Sequence, residues 1–332
     1  MKRLKYTEVE SIRSTPGRSL LLFITDRCPV GCEHCSVDSR PNSATIRDSE
    51  LFESIVEGIC YDEKLSMVGI SGGEPFVERK GLTLAVNRLV SAGKDIVLYT
   101  SGVWARSIIP QWIRDVLALV NCVFLSTDAF HNKTVNDDQF VLAARTLAEE
   151  GVWIIVQVLN IPEMVARAEE LLCRAFGKDY RELAEINLVP PLPYGRGKEI
   201  FNLGTNREGD EFGPCKSLAA PVVRYDGTIS ACCNEQVIMG LGPNRLRKRC
   251  SSGSDLKKAL KDISEDPLFN VMNELGVGTL TYHPKFSELA HQQFPSICKL
   301  CWAIQQDALP LGDRSDRLLT SISMIRRNTV NE

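Results

Sequence analysis

The chain has 332 residues, enough for about two domains at ~150 residues each, and 39 basic against 42 acidic residues give it a net charge of −3. That balance argues against a general electrostatic grip on nucleic acid or an acidic membrane, so neither is expected as a partner. The charged start MKRLKYTEVESIR lacks a signal-peptide stretch, and no apolar run approaches the ~20 residues of a membrane span, which predicts a cytoplasmic protein.

Residues 1–19 read as an N-terminal extension. Strands are then expected at 20–25, 67–71, 96–100, 123–126, 153–159 and 186–189, where short apolar runs recur at roughly thirty-residue intervals. Between them, Leu82, Ala85, Val86, Leu89 and Val90 follow the spacing of a one-sided helix, as do Met164, Val165, Ala168, Leu171, Leu172 and Ala175. Gly93, Gly151 and Gly177 sit where left-handed C-terminal caps belong. Alternating strands and helices of this kind form parallel βα units with right-handed crossovers. Six units are too few for a closed eight-stranded barrel. The expected α/β fold is a partial (β/α)6 barrel over residues 20–200, with its chemistry at the C-terminal strand ends. A Pro- and Gly-rich segment from Pro190 to Gly197 breaks the alternation, and residues 201–332 form a second, loop-rich domain holding six of the twelve cysteines.

Those twelve thiols stand against only four histidines, and in a reducing compartment they read as metal or redox ligands, or as buried thiols, before they read as disulfides. Directly after the first strand comes Cys28-Pro-Val-Gly-Cys32-Glu-His-Cys35. Three thiols in so short a loop suit a metal centre, but a structural zinc site wants a fourth ligand close by. His34 is the nearby candidate, although a side chain beside Cys35 tends to point away from a centre its neighbour ligates. The other solution is a [4Fe–4S] cluster with three cysteine ligands and one open iron. The C-x3-C-x2-C loop resembles the signature of the radical S-adenosylmethionine superfamily. That resemblance implies a [4Fe–4S] cluster on Cys28, Cys32 and Cys35, with S-adenosylmethionine on the open iron, reductively cleaved to a 5′-deoxyadenosyl radical. It also implies an external electron donor such as flavodoxin or ferredoxin.

Further matches accompany it. Ser71-Gly72-Gly73-Glu74-Pro75 resembles the family's GGEP motif, which implies that Gly72, Gly73, Glu74 and Pro75 hold the methionyl amino group. Thr100 and Ser101 after the third strand, and Ser126 and Asp128 after the fourth, resemble positions that contact the cofactor's ribose and carboxylate; their hydroxyls and carboxylate suit such groups. Arg196 is a candidate partner for the methionyl carboxylate.

In the second domain, Val222 to Ile229 reads as a hairpin turning at Asp226-Gly227, which would bring Cys215 and Cys232 together. Cys298-x2-Cys301 supplies a second pair, so four ligands can converge; zinc fits the same spacing locally. Joining Cys232 to Cys298 closes a 66-residue separation at a cost of about 4 kcal/mol, which tight metal binding offsets. The arrangement resembles the auxiliary-cluster (SPASM or twitch) domains of radical peptide maturases and aminocyclitol dehydrogenases, in their single-cluster form. This implies one auxiliary [4Fe–4S] cluster on Cys215, Cys232, Cys298 and Cys301. Cys60, Cys122 and Cys173 are expected to be buried thiols. Cys250 follows a basic run, Arg245 to Arg249, expected to be a solvated face or a dock for an acidic peptide segment.

Cys233 adjoins an expected ligand without being well placed to share its cluster, and is expected to project towards the barrel mouth. The overall layout, including Ser101 to Trp104, Asp128 to His131 and the Cys232-Cys233 pair, resembles the epipeptide-type peptide epimerases over most of the chain. That resemblance implies a ribosomally made peptide as substrate and Cys233 as the catalytic hydrogen donor in L-to-D epimerisation. Dehydrogenation or cross-linking of a peptide, or of a small amino-acid or sugar substrate, with the auxiliary cluster accepting an electron, is the competing reaction. Asp128 and His131 are candidates for orienting substrate or cofactor. The stretch before the first strand is too short for a separate leader-peptide-binding domain, so substrate would be held by the barrel mouth, the second domain or a separate partner. A non-catalytic zinc scaffold is the alternative of another class.

Overall fold

The computed structural model describes residues 2–202 and 204–307. Helix α1 (Tyr6–Arg13) precedes strand β1 (Ser19–Phe23), and βα units follow: α2 (Ser49–Cys60), β2 (Met67–Ser71), α3 (Arg79–Ser91), β3 (Asp95–Thr100), α4 (Gln111–Leu117), β4 (Cys122–Ser126), α5 (Asp137–Glu149), β5 (Trp153–Leu159), α6 (Pro162–Phe176) and β6 (Ala184–Val189). Strands β1 to β6 pair in sequence order, all parallel, giving the expected partial (β/α)6 fold. All six expected strands are present, and those at 67–71 and 153–159 have the expected bounds. Asp48 and Asn136 cap α2 and α5 by accepting from Leu51 and Gln139 N–H groups, and Pro162 opens α6, where a missing N–H costs nothing. Gly93, Gly151 and Gly177 all take positive φ, although Gly177 pairs its φ of 79° with a ψ of −163°, outside the left-handed helical region.

The strands are apolar on both faces because both are covered. Leu20, Leu22, Val68, Ile70, Ile96, Leu98, Val123, Leu125, Ile154 and Val156 face the helices in the main core. The alternate residues Met67, Val97, Cys122, Phe124, Trp153 and Ile155 form a second cluster, covered by Leu4 and Val9 and by Tyr6 and Ile12 at its edge. The N-terminal extension is thus a plug rather than a tail. The Tyr6 N–H and the Trp153 indole both donate to the Glu185 carboxylate (2.7 and 2.6 Å), and the Leu4 N–H reaches the Asn121 carbonyl, pinning the plug where β4 to β6 begin. The opposite end of the strands is left to the cysteine loop.

Beyond residue 200 come β7 (Arg207–Glu208), β8 (Val222–Arg224), β9 (Thr228–Ser230), α7 (Glu235–Ile238), β10 (Arg247–Arg249), α8 (Gly253–Ser264), α9 (Pro267–Glu274), β11 (Gln293–Phe294) and α10 (Ile297–Asp307). The expected hairpin is present, with β8 antiparallel to β9 and Gly227 at φ 83° in its turn. It also does something local patterning did not suggest. Strand β8 pairs parallel with β1, Leu21 opposite Val222, so β8, β9 and β10 extend the main sheet to nine strands. The basic run is the edge strand β10 and its approach, with Arg245 paired to Asp266 and Lys248 to Asp262. Charge on an edge discourages further strand pairing. A separate core of Phe212, Leu268, Met272, Phe286, Leu300, Cys301 and Ile304 organises the rest. Among the described residues, no helix is long and apolar enough to cross a membrane.

Candidate active site

A cavity of about 340 Å³ opens at the C-terminal ends of the strands. Ser71, Tyr99, Thr100, Ser101, Ser126, Gln157, Leu159 and Val189 enter it from β2 to β6 and their ends, and Cys28, Cys32 and Cys35 from the loop after β1. Gly72, Gly73 and Asp128 line it as well, so most of the expected site residues of the first domain share one wall.

The cysteine loop is held by main-chain contacts that leave no room for side chains. A Cβ on Gly73 would strike the Asp26 and Arg27 carbonyls, and the Gly73 and Glu74 N–H groups donate to Thr25 and Arg27 carbonyls at 2.6 and 2.9 Å. On the other side, Gly195 takes φ 54° and presses its backbone against the Cys35 and Ser36 carbonyls, where only glycine fits.

Three of the expected first-domain residues lie outside the cavity lining: Pro75, buried in the turn after β2, Glu74 and Arg196. The Glu74 side chain is fully buried and lies outside the cavity lining, accepting from Thr100 Oγ1 (2.8 Å), the Ser101 N–H (2.9 Å), Ser101 Oγ (2.5 Å) and the Phe76 N–H (3.3 Å). It fixes the end of β3 behind the cavity wall. Arg196 donates to the Cys32 carbonyl from Nε and Nη2 (2.9 and 2.6 Å), to the Ser39 carbonyl from both Nη atoms (3.1 Å each) and to the Asp38 carboxylate from Nη1 (2.6 Å). Its fork is therefore already occupied in bracing the cysteine loop, rather than open towards a carboxylate in the cavity.

Asp128 organises a cluster that residue spacing did not reveal. Its Oδ2 lies 3.3 Å from His34 Nε2 and 2.9 Å from His131 Nδ1, while Oδ1 accepts from the Phe130 and His131 N–H groups. Burial alone would raise the Asp128 pKa, but bonds to both imidazoles hold it well below the usual carboxylate range. Burial likewise disfavours the His131 cation, yet Asp128 and the Cys32 sulfur as acceptors push its pKa up to about 10. His34 packs on Phe130 with ring centroids 4.8 Å apart, so its engagement is with Asp128 and this ring.

The loop thiols fit a cationic metal group. Burial and then the Glu74 charge push the Cys28 pKa up to about 12, so it needs a positive partner to ionise. The second set behaves alike. Cys232 and Cys301 are buried, Cys215 and Cys298 half-buried, and burial raises all four. Cys215 and Cys301 lie within electrostatic reach of each other and of both Cys232 and Cys298, Cys233 lies within reach of Cys215, Cys232 and Cys298, and the Asn234 amide donates to Cys298 Sγ at 3.4 Å. Among the described residues, no three cysteine sulfurs lie within 4.8 Å of each other. A tetrahedral zinc with ~2.3 Å bonds would draw its sulfurs to about 3.8 Å, whereas a cluster carrying one thiolate per corner iron holds them further apart.

The remaining thiols divide. Cys122 is buried in the inner cluster as expected, Cys60 is half-buried against the main core, and Cys173 is exposed. On α6 the buried stripe runs through Ala168, Leu171 and Leu172, and one further residue turns Cys173 out of it. Cys250 is buried in the main core, its thiol 3.4 Å from the Gly227 carbonyl.

Residues 22–172 match the model of the radical SAM superfamily. They form a radical SAM domain. The chain is 19% identical over 305 residues to YydG of Bacillus subtilis (strain 168), a protein provisionally assigned to peptide biosynthesis; the match covers 88% of this chain and 93% of YydG. Its fold is that of SuiB from Streptococcus suis, crystallised with S-adenosylmethionine, with a TM-score of 0.52, 14% identity and coverage of 81% and 70% of the two chains. It is also that of anSMEcpe with bound AdoMet and Kp18Cys peptide, with a TM-score of 0.51, 16% identity and coverage of 92% and 98%.

Proposed function

We propose that this radical SAM enzyme modifies a ribosomally made peptide, inverting an L-residue to its D-form with Cys233 as hydrogen donor. When bound at Cys28, Cys32 and Cys35, a [4Fe–4S] cluster with S-adenosylmethionine supplies the radical that abstracts the substrate hydrogen. Thr100, Ser101, Ser126 and Gln157 offer hydrogen-bonding groups along the cavity that would seat cofactor and substrate. Cys215, Cys232, Cys298 and Cys301 would hold one auxiliary [4Fe–4S] cluster.

The observation that carries the reading is the placement of Cys233. It packs against the cluster of Phe23, Val222 and Ile238 on the sheet and lies outside the cavity lining, short of the barrel mouth expected for it, within electrostatic reach both of Tyr99, a residue of the cavity wall, and of Cys215, Cys232 and Cys298. A thiol beside this wall gives a hydrogen atom to a carbon radical once the bound peptide reaches past the wall to it. The S–H bond breaks and a C–H bond forms; an electron from an external donor and a proton from solvent restore the thiol. The likeness to YydG, and structural neighbours crystallised with the precursor peptide SuiA or with Kp18Cys peptide, support a peptide substrate.

Mass spectrometry of candidate peptides after turnover in deuterated water tests this. Epimerisation adds one mass unit and Cys233→Ala abolishes that gain while 5′-deoxyadenosine still forms. A two-unit loss indicates dehydrogenation or cross-linking instead, and an unchanged product from Cys233→Ala removes its donor role.

A further inference from the structure

The outer face of the barrel carries a second concavity, an open groove of about 550 Å³ between α3 and α4. Its lining includes Arg79, Lys80, Arg88 and Trp112, with Asp115 as its one carboxylate, so three cations face one anion. Arg79 and Lys80 are exposed, and among the described residues neither has an acidic group at ion-pair distance; Arg88 pairs with Glu53 at 3.2 Å. The Arg79 guanidinium stands 5.5 Å from the centre of the Trp112 ring. Val77 and Ile108, 37% and 84% exposed, lie beside these residues in sequence, at the starts of α3 and α4. A cationic centre built around arginine and tryptophan is the composition of a protein-docking site for an acidic partner. It stands out on a chain whose net charge is −3.

The groove's position gives it a purpose. The first turns of α3 and α4 follow β2 and β3, at the same end of the sheet as the cysteine loop. From Trp112 an unbroken line of contacts runs inward. Its ring centre is 6.0 Å from that of Phe76, Phe76 is 5.2 Å from Trp104, and the Trp104 indole donates to Thr100 Oγ1 at 3.1 Å. Thr100 lines the cavity that Cys28, Cys32 and Cys35 enter.

We infer that this groove docks the acidic one-electron carrier protein that feeds the enzyme, with the Trp112–Phe76–Trp104 contacts as the packed route towards the cysteine loop. The inference rests on the radical-enzyme reading. One electron leaves the reduced carrier, which is oxidised by one electron, and arrives at the metal group held by the three cysteines; no proton or bond changes hands in that step.

The test compares two reductants on the reconstituted holoenzyme, with 5′-deoxyadenosine formation as one readout and calorimetric binding of the oxidised carrier and of peptide as the other. Dithionite reduces without docking, whereas reduced flavodoxin or reduced ferredoxin must dock. Arg79→Glu with Lys80→Glu should lower the carrier-driven rate tenfold or more and leave the dithionite rate unchanged. The milder Arg79→Ala with Lys80→Ala should lower it several-fold and flatten its dependence on salt. Loss with only one carrier identifies which of the two carriers uses the groove. Equal carrier-driven rates in wild type and both variants overturn the inference, as does parallel loss with dithionite in the alanine pair, or weaker peptide binding with unaltered reduction. A wild type that fails even with dithionite removes the radical-enzyme reading and this inference with it.

Discussion

Cys28, Cys32 and Cys35 share one short loop, whereas Cys215, Cys232, Cys298 and Cys301 are drawn from a hairpin, its flanks and α10, along the chain from residue 215 to residue 301. The first set needs only support for a loop whose spacing is already right, and Arg196 and the Gly73 and Gly195 contacts give it. In the second only Cys298 and Cys301 are close in sequence. That set depends on a core in which Cys301 packs among Met272, Leu300 and Ile304. Local ligand sets tolerate damage elsewhere in the fold; dispersed ones inherit it.

The two regions are nevertheless tied together. Asp26, two residues before Cys28, accepts from Arg224 Nη2 (2.7 Å) and Tyr225 Oη (2.8 Å) on the same oxygen, and both donors lie in the hairpin that leads to Cys232. Asp26 and Arg224 are 9% and 7% exposed, so the pair is a buried one that would be costly to break from one side.

Cleavage of S-adenosylmethionine is a common scale on which the contrast can be tested. The largest effect belongs to replacing Cys28, Cys32 and Cys35 with alanine, which should abolish cleavage and lower the iron content by about four per chain. Residual 5′-deoxyadenosine would place the cluster elsewhere. Next comes Arg224→Met, which leaves the buried Asp26 with the Tyr225 hydroxyl but no cation and should destabilise the fold by about 3–5 kcal/mol in urea titrations. Cleavage should fall several-fold with it, and adding Asp26→Asn should recover much of the stability. An Arg224 variant that impaired only peptide turnover would show the two regions to be uncoupled. The smallest effect on cleavage is expected from Cys298→Ala with Cys301→Ala, which should remove about half the iron and peptide turnover while cleavage stays within about twofold. Iron content that does not change would remove the auxiliary ligand assignment.

Much of the barrel is legible before folding because strand and helix patterns repeat over short windows. Glu185 marks where this stops. A carboxylate inside an apolar stretch reads as a strand boundary, yet β6 begins at Ala184, because the Tyr6 N–H and the Trp153 indole satisfy Glu185 from elsewhere in the chain. The charged opening segment hid α1 in the same way, since the face it buries is defined by residues of β2 to β5.

The cysteine loop, the Gly-Gly-Glu-Pro turn and the hydroxyls at the strand ends are properties of neighbouring residues, and the sequence by itself determined that they would meet at one end of a parallel sheet. The tertiary structure alone decided that Glu74 faces β3 and not the cavity, that Arg196 braces the cysteine loop, that Asp128 joins His34 to His131, and that β8 completes the sheet beside β1. Each of these depends on a donor, acceptor or strand edge brought from a distant part of the chain, and buried polar groups take whichever partner the packing presents.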